Sequence, residues 1–202
     1  MGGFSGFDPV ISRLGGIASR RELRDAGWDE TDLWFAWSYG NLDRIRHGWY
    51  ASADLPDDAR AAWKAGGPLA CVSALRHHGM LDDSGLPTDL PFHICVATDA
   101  HLPPVSKVHG SPADVIVHWS TTDRYSGSRQ AVAPRVALRQ ARACSSPAAR
   151  AAAARAAELS RSRIQRGTAV AAKPSARNPA TRDSSSTPTS QASSRPPSAR
   201  EP

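Results

Sequence analysis

A pair of helix starts only ten positions apart, at Ser19 and Asp29, constrains this chain more than any other feature of its sequence. Ser19 with Glu22 three residues on forms a capping-box pattern, in which hydroxyl and carboxylate satisfy orphaned backbone N–H groups, so a helix opens at Arg20. Gly27 closes it. Asp29 can cap a second helix, Asp32 at its third position suits the helix dipole, and Trp28 and Leu33 are placed as a hydrophobic staple. Gly40 and Asn41 end that helix. Residues 42–51 then alternate around His47-Gly48, a pair able to take a two-residue turn because Gly accepts positive φ and His tolerates it better than most. The pattern is helix, tight turn, helix, hairpin.

A turn at His47-Gly48 pairs Arg46 with Trp49 and Ile45 with Tyr50, and alternate residues face opposite sides of the ribbon. Ile45 and Tyr50 are then expected against the helices. Arg44 and Arg46 are expected to project together from the other face, with Trp49 able to stack under a guanidinium. Upstream, Asp8-Pro9 opens a further helix with Val10, Ile11 and Leu14 on one face, which completes a three-helix core. Leu23 and Ala26 of the second helix look inward. Leu33, Ala36 and Trp37 form the inward stripe of the third, leaving Thr31, Trp34, Phe35 and Ser38 nearer solvent. Two short helices and a ribbon with paired arginines follow the plan of a winged helix-turn-helix, which sets a helix in a DNA groove and the ribbon against phosphates. DNA is the expected partner, through Arg20, Arg21, Arg24, Arg44, Arg46 and His47. Trp34 and Phe35 are the candidates for a protein contact.

Charge does not decide the matter. The net charge of +6 comes from the last 59 residues, where ten Lys/Arg stand against three acids; residues 1–143 hold fifteen basic and sixteen acidic groups. The high pI therefore belongs to the tail and says nothing about the folded part. All six Trp lie between Trp28 and Trp119, and no aromatic residue follows Tyr125. Beyond Ala143 the apolar residues other than Ala nearly vanish, and such a segment buries too little surface to offset chain entropy. Residues 148–166 can form an Ala/Arg helix, but one with little to pack against. An Ala, Arg, Ser, Pro and Thr tail that begins abruptly inside a helix is also what a GC-rich coding region yields when read out of frame. Three widely spaced cysteines without a CxxC read as free thiols of a reducing cytoplasm. Neither a signal peptide nor a membrane span is visible, so a cytoplasmic protein without a membrane partner is expected.

The middle of the chain reads as a small α+β unit. Residues 56–64 carry acids in the first turn and a base in the last, as a short helix should, and Gly66-Gly67-Pro68 breaks it. Ser73 is placed to cap a helix over ALRHHGM. Residues 90–97 and 114–120 are apolar and β-branched enough for buried strands. Residues 121–133 look irregular, and Pro134 opens another helix. The expected organisation is α+β, with a winged helix-turn-helix over 1–54, a small mixed unit over 55–143 and a disordered tail over 144–202. His93 and Cys95 share a strand face and His118 sits on the next strand, but no paired short spacing of a zinc site is present, so no metal and no cofactor are expected. Two carboxylates two apart on a strand, needed to hold Mg²⁺ for nucleotidyl transfer, fail at Ile116 beside Asp114. No GxxxxGK[ST], GxSxG or HExxH occurs, and no catalytic constellation is visible.

The segments GGIASRREL at 15–23 and LDRIRHGWY at 42–50 resemble the N-terminal winged helix-turn-helix of AbiE-type antitoxins of type IV toxin-antitoxin, or abortive infection, systems. A GG-(I/V)-A-(T/S)-x-x-x-L opening and an R-x-R-x-G-x-Y wing recur there, and Ser73-Ala74-Leu75 with His78-Gly79 is similar to a later pair of motifs. The resemblance covers residues 9–81 well and extends more loosely to 143. It implies a DNA-binding autorepressor of a toxin-antitoxin operon, with a cognate toxin or a second copy as protein partner. Family members usually carry several basic residues on the recognition helix, whereas residues 29–39 hold no Lys or Arg and include Asp29, Glu30 and Asp32. Acids near a phosphate backbone repel it, which moves the expected contacts to Arg20, Arg21, Arg24 and the wing. Some proteins that look like this one carry a C-terminal endonuclease-like domain related to very-short-patch-repair enzymes. A truncated or frame-shifted relative of those, keeping only its DNA-binding front, is one alternative, and a protein-interaction adaptor is another.

Overall fold

A computed structural model describes residues 7–81, 91–102 and 114–171, with side chains from Pro9 to Ser162 within those ranges. The expected polar loop at 82–87, most of the loop at 98–111 and residues 172–202 of the expected tail lie outside the described residues. The architecture is mixed α and β. Helix α1 (Phe7–Arg13) leads into strand β1 (Ile17–Ser19), helix α2 (Arg20–Asp25), helix α3 (Glu30–Ser38) and the hairpin β2 (Leu42–Arg46) and β3 (Trp49–Ser52). Helices α4 (Asp57–Ala65) and α5 (Cys71–His77), strands β4 (Phe92–Val96) and β5 (Val115–Trp119), and helices α6 (Thr121–Arg124), α7 (Pro134–Ala143) and α8 (Pro147–Ala171) follow.

The paired helix starts form as the sequence indicates. Ser19 Oγ accepts from the Glu22 N–H and the Glu22 carboxylate accepts from the Ser19 N–H, while Asp29 and Asp32 make the same reciprocal box at α3. Trp28 packs with Leu33 beside Ile11, Leu23, Ala36 and Leu42 in a small cluster between the first three helices. β1 is an element that the sequence did not announce. It pairs antiparallel with β3, so the hairpin becomes a three-stranded sheet in the order β1-β3-β2. Only three residues long, β1 has no period-two signature, and its partner supplies what its own sequence lacks.

The second core begins inside this N-terminal unit. Ile17, Ile45 and Ala51 join Trp63, Leu69, Val72, Ile94 and Val132 in one buried cluster that continues into α7 and α8. The expected division at 54/55 is therefore crossed by shared packing. Arg60 reinforces the crossing: it pairs with Asp43 on β2 and donates to the carbonyls of Ser52, Ala53 and Leu55. Arg129 does the same from further along the chain, bonding Glu22 and the Ile17 carbonyl. β4 and β5 pair in parallel, with His93 opposite Ile116 and Cys95 opposite His118. Gly67 lets the 66–70 segment lie against β4, since a Cβ there would fall 2.3 Å from the Cys95 carbonyl oxygen.

Several expectations are corrected. Ser73 lies inside α5, whose cap position is Ala70, so it does not cap that helix. The irregular stretch after Ser120 contains the short helix α6. Ala26 and Trp37 are exposed, since α2 buries Leu23 and α3 buries Leu33 and Ala36, and those three supply the two helices' part of the facing cluster. The largest correction concerns α8. Ala149, Ala152, Ala153 and Ala156 recur at helical spacing and are fully buried against α5 and α7, so this helix has a partner surface and the structured chain continues past Ala143. Among the described residues, no helix is long and apolar enough to cross a membrane.

Candidate functional site

The first candidate site is the cleft between α3 and the hairpin. It encloses about 390 Å³ and is lined by Arg20, Glu30, Trp34, Trp37, Arg44 and His47, with Leu33, Gly48 and Tyr50 beneath them. Trp34 and Trp37 are 56% and 55% exposed, large for apolar side chains in such a position. Phe35 and Tyr39 continue the aromatic surface, stacked at 6.0 Å, with Phe35 edge-on to Trp34 at 5.1 Å. The site thus combines planar rings with cationic groups.

Its charges differ from the expected set in one respect that sequence spacing could not supply. Arg20 and Arg24 converge on Glu30, Arg24 at 2.8 Å and Arg20 through two contacts, one at 3.0 Å. The bond to Arg20 holds the Glu30 carboxyl below its usual range, and Glu30 in turn raises Arg20. The other two acids of α3, Asp29 and Asp32, cap the helix's own N-terminus. None of the three acids is an unengaged negative group facing the cleft. Arg21 is exposed and makes a loose pair with Asp25 at 3.8 Å.

On the hairpin the expected pair of arginines separates. Arg44 is exposed and donates to Nδ1 of the exposed His47 at 3.1 Å. Arg46 instead turns inward, half-buried, and donates to the Gly66 carbonyl at 2.9 Å. Burial lowers its pKa, with a smaller contribution from nearby Arg124. A bulge causes the divergence. Arg44 pairs with Tyr50 and Arg46 with Trp49, so Ile45 is the extra residue and takes the buried position between them. With an odd residue inserted, positions 44 and 46 no longer share a face. Trp49 meets Trp63 at 4.4 Å with the ring planes tilted by 43°, and the guanidinium over that pair is Arg124, on Trp63, rather than an arginine of the hairpin.

The second candidate site lies in the other unit, with three of its four residues buried and His118 half-buried. One ligand-type atom each from Cys71, His93, His118 and Cys144 lies within 4.8 Å of all the others. Cys71 begins α5, His93 and His118 come from the paired strands β4 and β5, and Cys144 ends α7. His93 Nδ1 stands 3.1 Å from His118 Nε2. His93 is fully buried, and its Nε2 has no hydrogen-bond partner among the described residues. Burial, followed by the neighbouring His118, lowers the His93 pKa to about 4, and burial also lowers that of His118. Burial and then Cys144 push the Cys71 thiol up to about 12, while the Val72 N–H acts the other way. Cys95, grouped with the two histidines on sequence grounds, is excluded: its thiol faces the Ser120 carbonyl and Gln140.

Sequence reasoning missed Cys71 and Cys144 because the four residues stand 22, 25 and 26 positions apart, outside any short ligand motif. The legible signal was weaker: cysteines at two helix boundaries, and a histidine in each of two apolar strands. No family model matches this chain, and no curated protein matches it.

Proposed function

We propose that the chain is a DNA-binding regulator of the AbiE antitoxin type, with residues 7–54 as a winged helix-turn-helix and the α3–wing cleft as its nucleic-acid face. The observation that carries the reading is the cleft itself, where Arg20, Arg44 and His47 stand beside two exposed indole rings. Guanidinium groups recognise phosphate, and exposed rings can meet sugar and base surfaces. The order helix, strand, two helices, hairpin, with β1 closing the sheet, supports the same reading, since that plan presents its second tight-turn helix and its ribbon together. Engagement of Glu30 with Arg20 and Arg24 offsets its charge and lessens the repulsion between α3 and a phosphate chain. Arg46 is withdrawn from the contact set. The remaining DNA contacts are Arg20, Arg21, Arg24, Arg44 and His47.

Fluorescence anisotropy with duplex from the region upstream of its own operon tests this. Binding should weaken steeply with salt, and Arg44→Ala should reduce the slope of log K against log salt by about one while leaving the fold intact. Absence of a specific complex, or one indifferent to Arg44→Ala, would overturn it.

A second reading, protein contact by α3, is favoured by one observation. Trp34, Phe35, Trp37 and Tyr39 form a continuous exposed aromatic surface. A cognate toxin or a second copy of the chain is the occupant in that reading. Replacing Trp34 and Phe35 by Ser would then abolish co-assembly and leave DNA affinity little changed.

A further inference from the structure

We propose that Cys71, His93, His118 and Cys144 form a closed four-ligand site for a divalent ion of the zinc class, which fastens α5, the β4–β5 pair and the α7–α8 junction together. This inference stands independently of the DNA-binding reading.

The donor set is the first ground. Two thiols and two imidazoles in a buried cluster match tetrahedral S₂N₂ coordination, the arrangement that selects zinc among the common divalent metals. With Zn–S near 2.3 Å and Zn–N near 2.0–2.1 Å, tetrahedral ligand atoms stand about 3.3–3.8 Å apart. The His93–His118 edge, at 3.1 Å, is already close to that length, and the other separations, all within 4.8 Å, need no more than about 1–1.5 Å of contraction. All four ligand positions come from the protein, so there is no open coordination site and the role is structural.

The second ground is the approach of the two rings within the cluster. Nδ1 of fully buried His93 and Nε2 of His118 point at one another at 3.1 Å, two lone-pair-bearing nitrogens converging from different strands. A metal ion accepts lone pairs from both rings at once and relieves their face-off. The third ground is Cys71 itself, the one non-glycine residue with positive φ among the described residues, at 49°. Such a backbone persists where its surroundings over-determine it, and here they do. Gln140 Oε1 accepts from the Cys71 N–H at 3.1 Å, and Gln140 Nε2 is in turn anchored on Asp123 at 3.1 Å. The His93 N–H donates to Ser73 Oγ at 3.0 Å. Two of the four ligands are thus held by dedicated hydrogen bonds from outside the cluster.

The charge balance also fits burial. On binding, each of the two S–H bonds breaks, both sulfur electron pairs go to the metal and two protons leave to solvent. The imidazoles donate neutral lone pairs, and nothing is oxidised or reduced. A dication with two thiolates is neutral overall, which suits an interior position without a further counter-ion.

The test uses the full chain, purified under reducing conditions and analysed for metal. One zinc per chain is expected. Replacement with Co²⁺ should produce the absorption of a tetrahedral ion together with a thiolate-to-cobalt charge-transfer band. Cys71→Ser and Cys144→Ser should each lower that band by roughly half, since one of two thiolates is gone, whereas Cys95→Ser should leave it unchanged. The wild-type chain keeps the proposal falsifiable even if a Ser variant does not fold: its thermal midpoint should rise with added Zn²⁺ and fall with a chelator. A chain that is folded by circular dichroism yet takes up neither Zn²⁺ nor Co²⁺ would overturn the proposal. So would a band that survives loss of both cysteines or disappears with Cys95→Ser.

Discussion

Arg44 and Arg46 stand two positions apart on one strand and take opposite roles. Arg46 bonds the carbonyl of Gly66, the residue that breaks α4, so it joins the hairpin to the second unit. Arg46→Ala should therefore lower stability by about 1–2 kcal/mol, read in a urea titration, because a half-buried carbonyl loses a charged donor. Arg44→Ala, at an exposed site, should shift that titration by less than about 0.5 kcal/mol. Equal effects of the two would sink this division of labour. Glu22 offers a second residue-scale test. The hydrogen bond from Arg129 is the chief cause of its pKa of about 2, against an ordinary value of 4.5, and the Ser19 capping bonds act in the same direction against the cost of burial. Since the folded value lies below the unfolded one, the stabilisation is complete above about pH 4.5 and disappears as the pH falls toward 2. With the pair partly screened by solvent, a difference of about 1–2 kcal/mol between wild type and Glu22→Gln is expected at pH 7, closing as the pH falls through that window. A gap that stays constant down to pH 2 would show that the carboxylate's charge is not what matters. Ser19 and Glu22 were legible as a capping box, but Arg129 was not, because it stands 107 positions away.

At the scale of elements, what could be read was whatever depends on neighbours in sequence. Both short helices, the His47-Gly48 turn, α4 and the two apolar strands follow from caps, breakers and β-branched runs. The bulge at Ile45 was not readable, since alternation alone gives no sign of an inserted residue, and it alone reverses the expected direction of Arg46. α8 is the complementary case. Its composition suggested a helix without a core-forming face, because alanine carries little apolar area. Four alanines at helical spacing nevertheless make a flat stripe on which α5 and α7 can approach closely. Small size is the point of that stripe, so enlarging it should be harmful. Ala153→Leu, at a fully buried position, should cost about 1–3 kcal/mol by overpacking, while Ala154→Leu on the exposed side should stay within about 0.5 kcal/mol. Thermal melts of the two variants decide it, and equal melting temperatures would mean that α8 is not packed as described.

For the whole molecule, the decisive question is where the cooperative structure ends. Composition places that limit at Ala143, whereas packing places it no earlier than Ala156, the last of the buried alanines. The difference arises because hydrophobicity averaged along the chain misses a helix that contributes methyl groups to a core built by others. A chain cut after Ala143 separates the two views. It loses Cys144 and the four buried alanine side chains, each methyl contributing about 0.8 kcal/mol, so about 3 kcal/mol of burial disappears directly. The faces of α5 and α7 that α8 covers are also exposed. For a small fold with a total stability of about 5–15 kcal/mol, that is a large share, and the cut chain should melt well below the full chain and expose apolar surface to a hydrophobic dye. Because Ile17, Ile45 and Ala51 share the core that α8 closes, the loss should also reach the N-terminal unit and weaken any DNA complex through stability rather than contact. If the cut chain instead melts at the same temperature as the full one, α8 is an appendage, and the limit drawn from composition is the physical one.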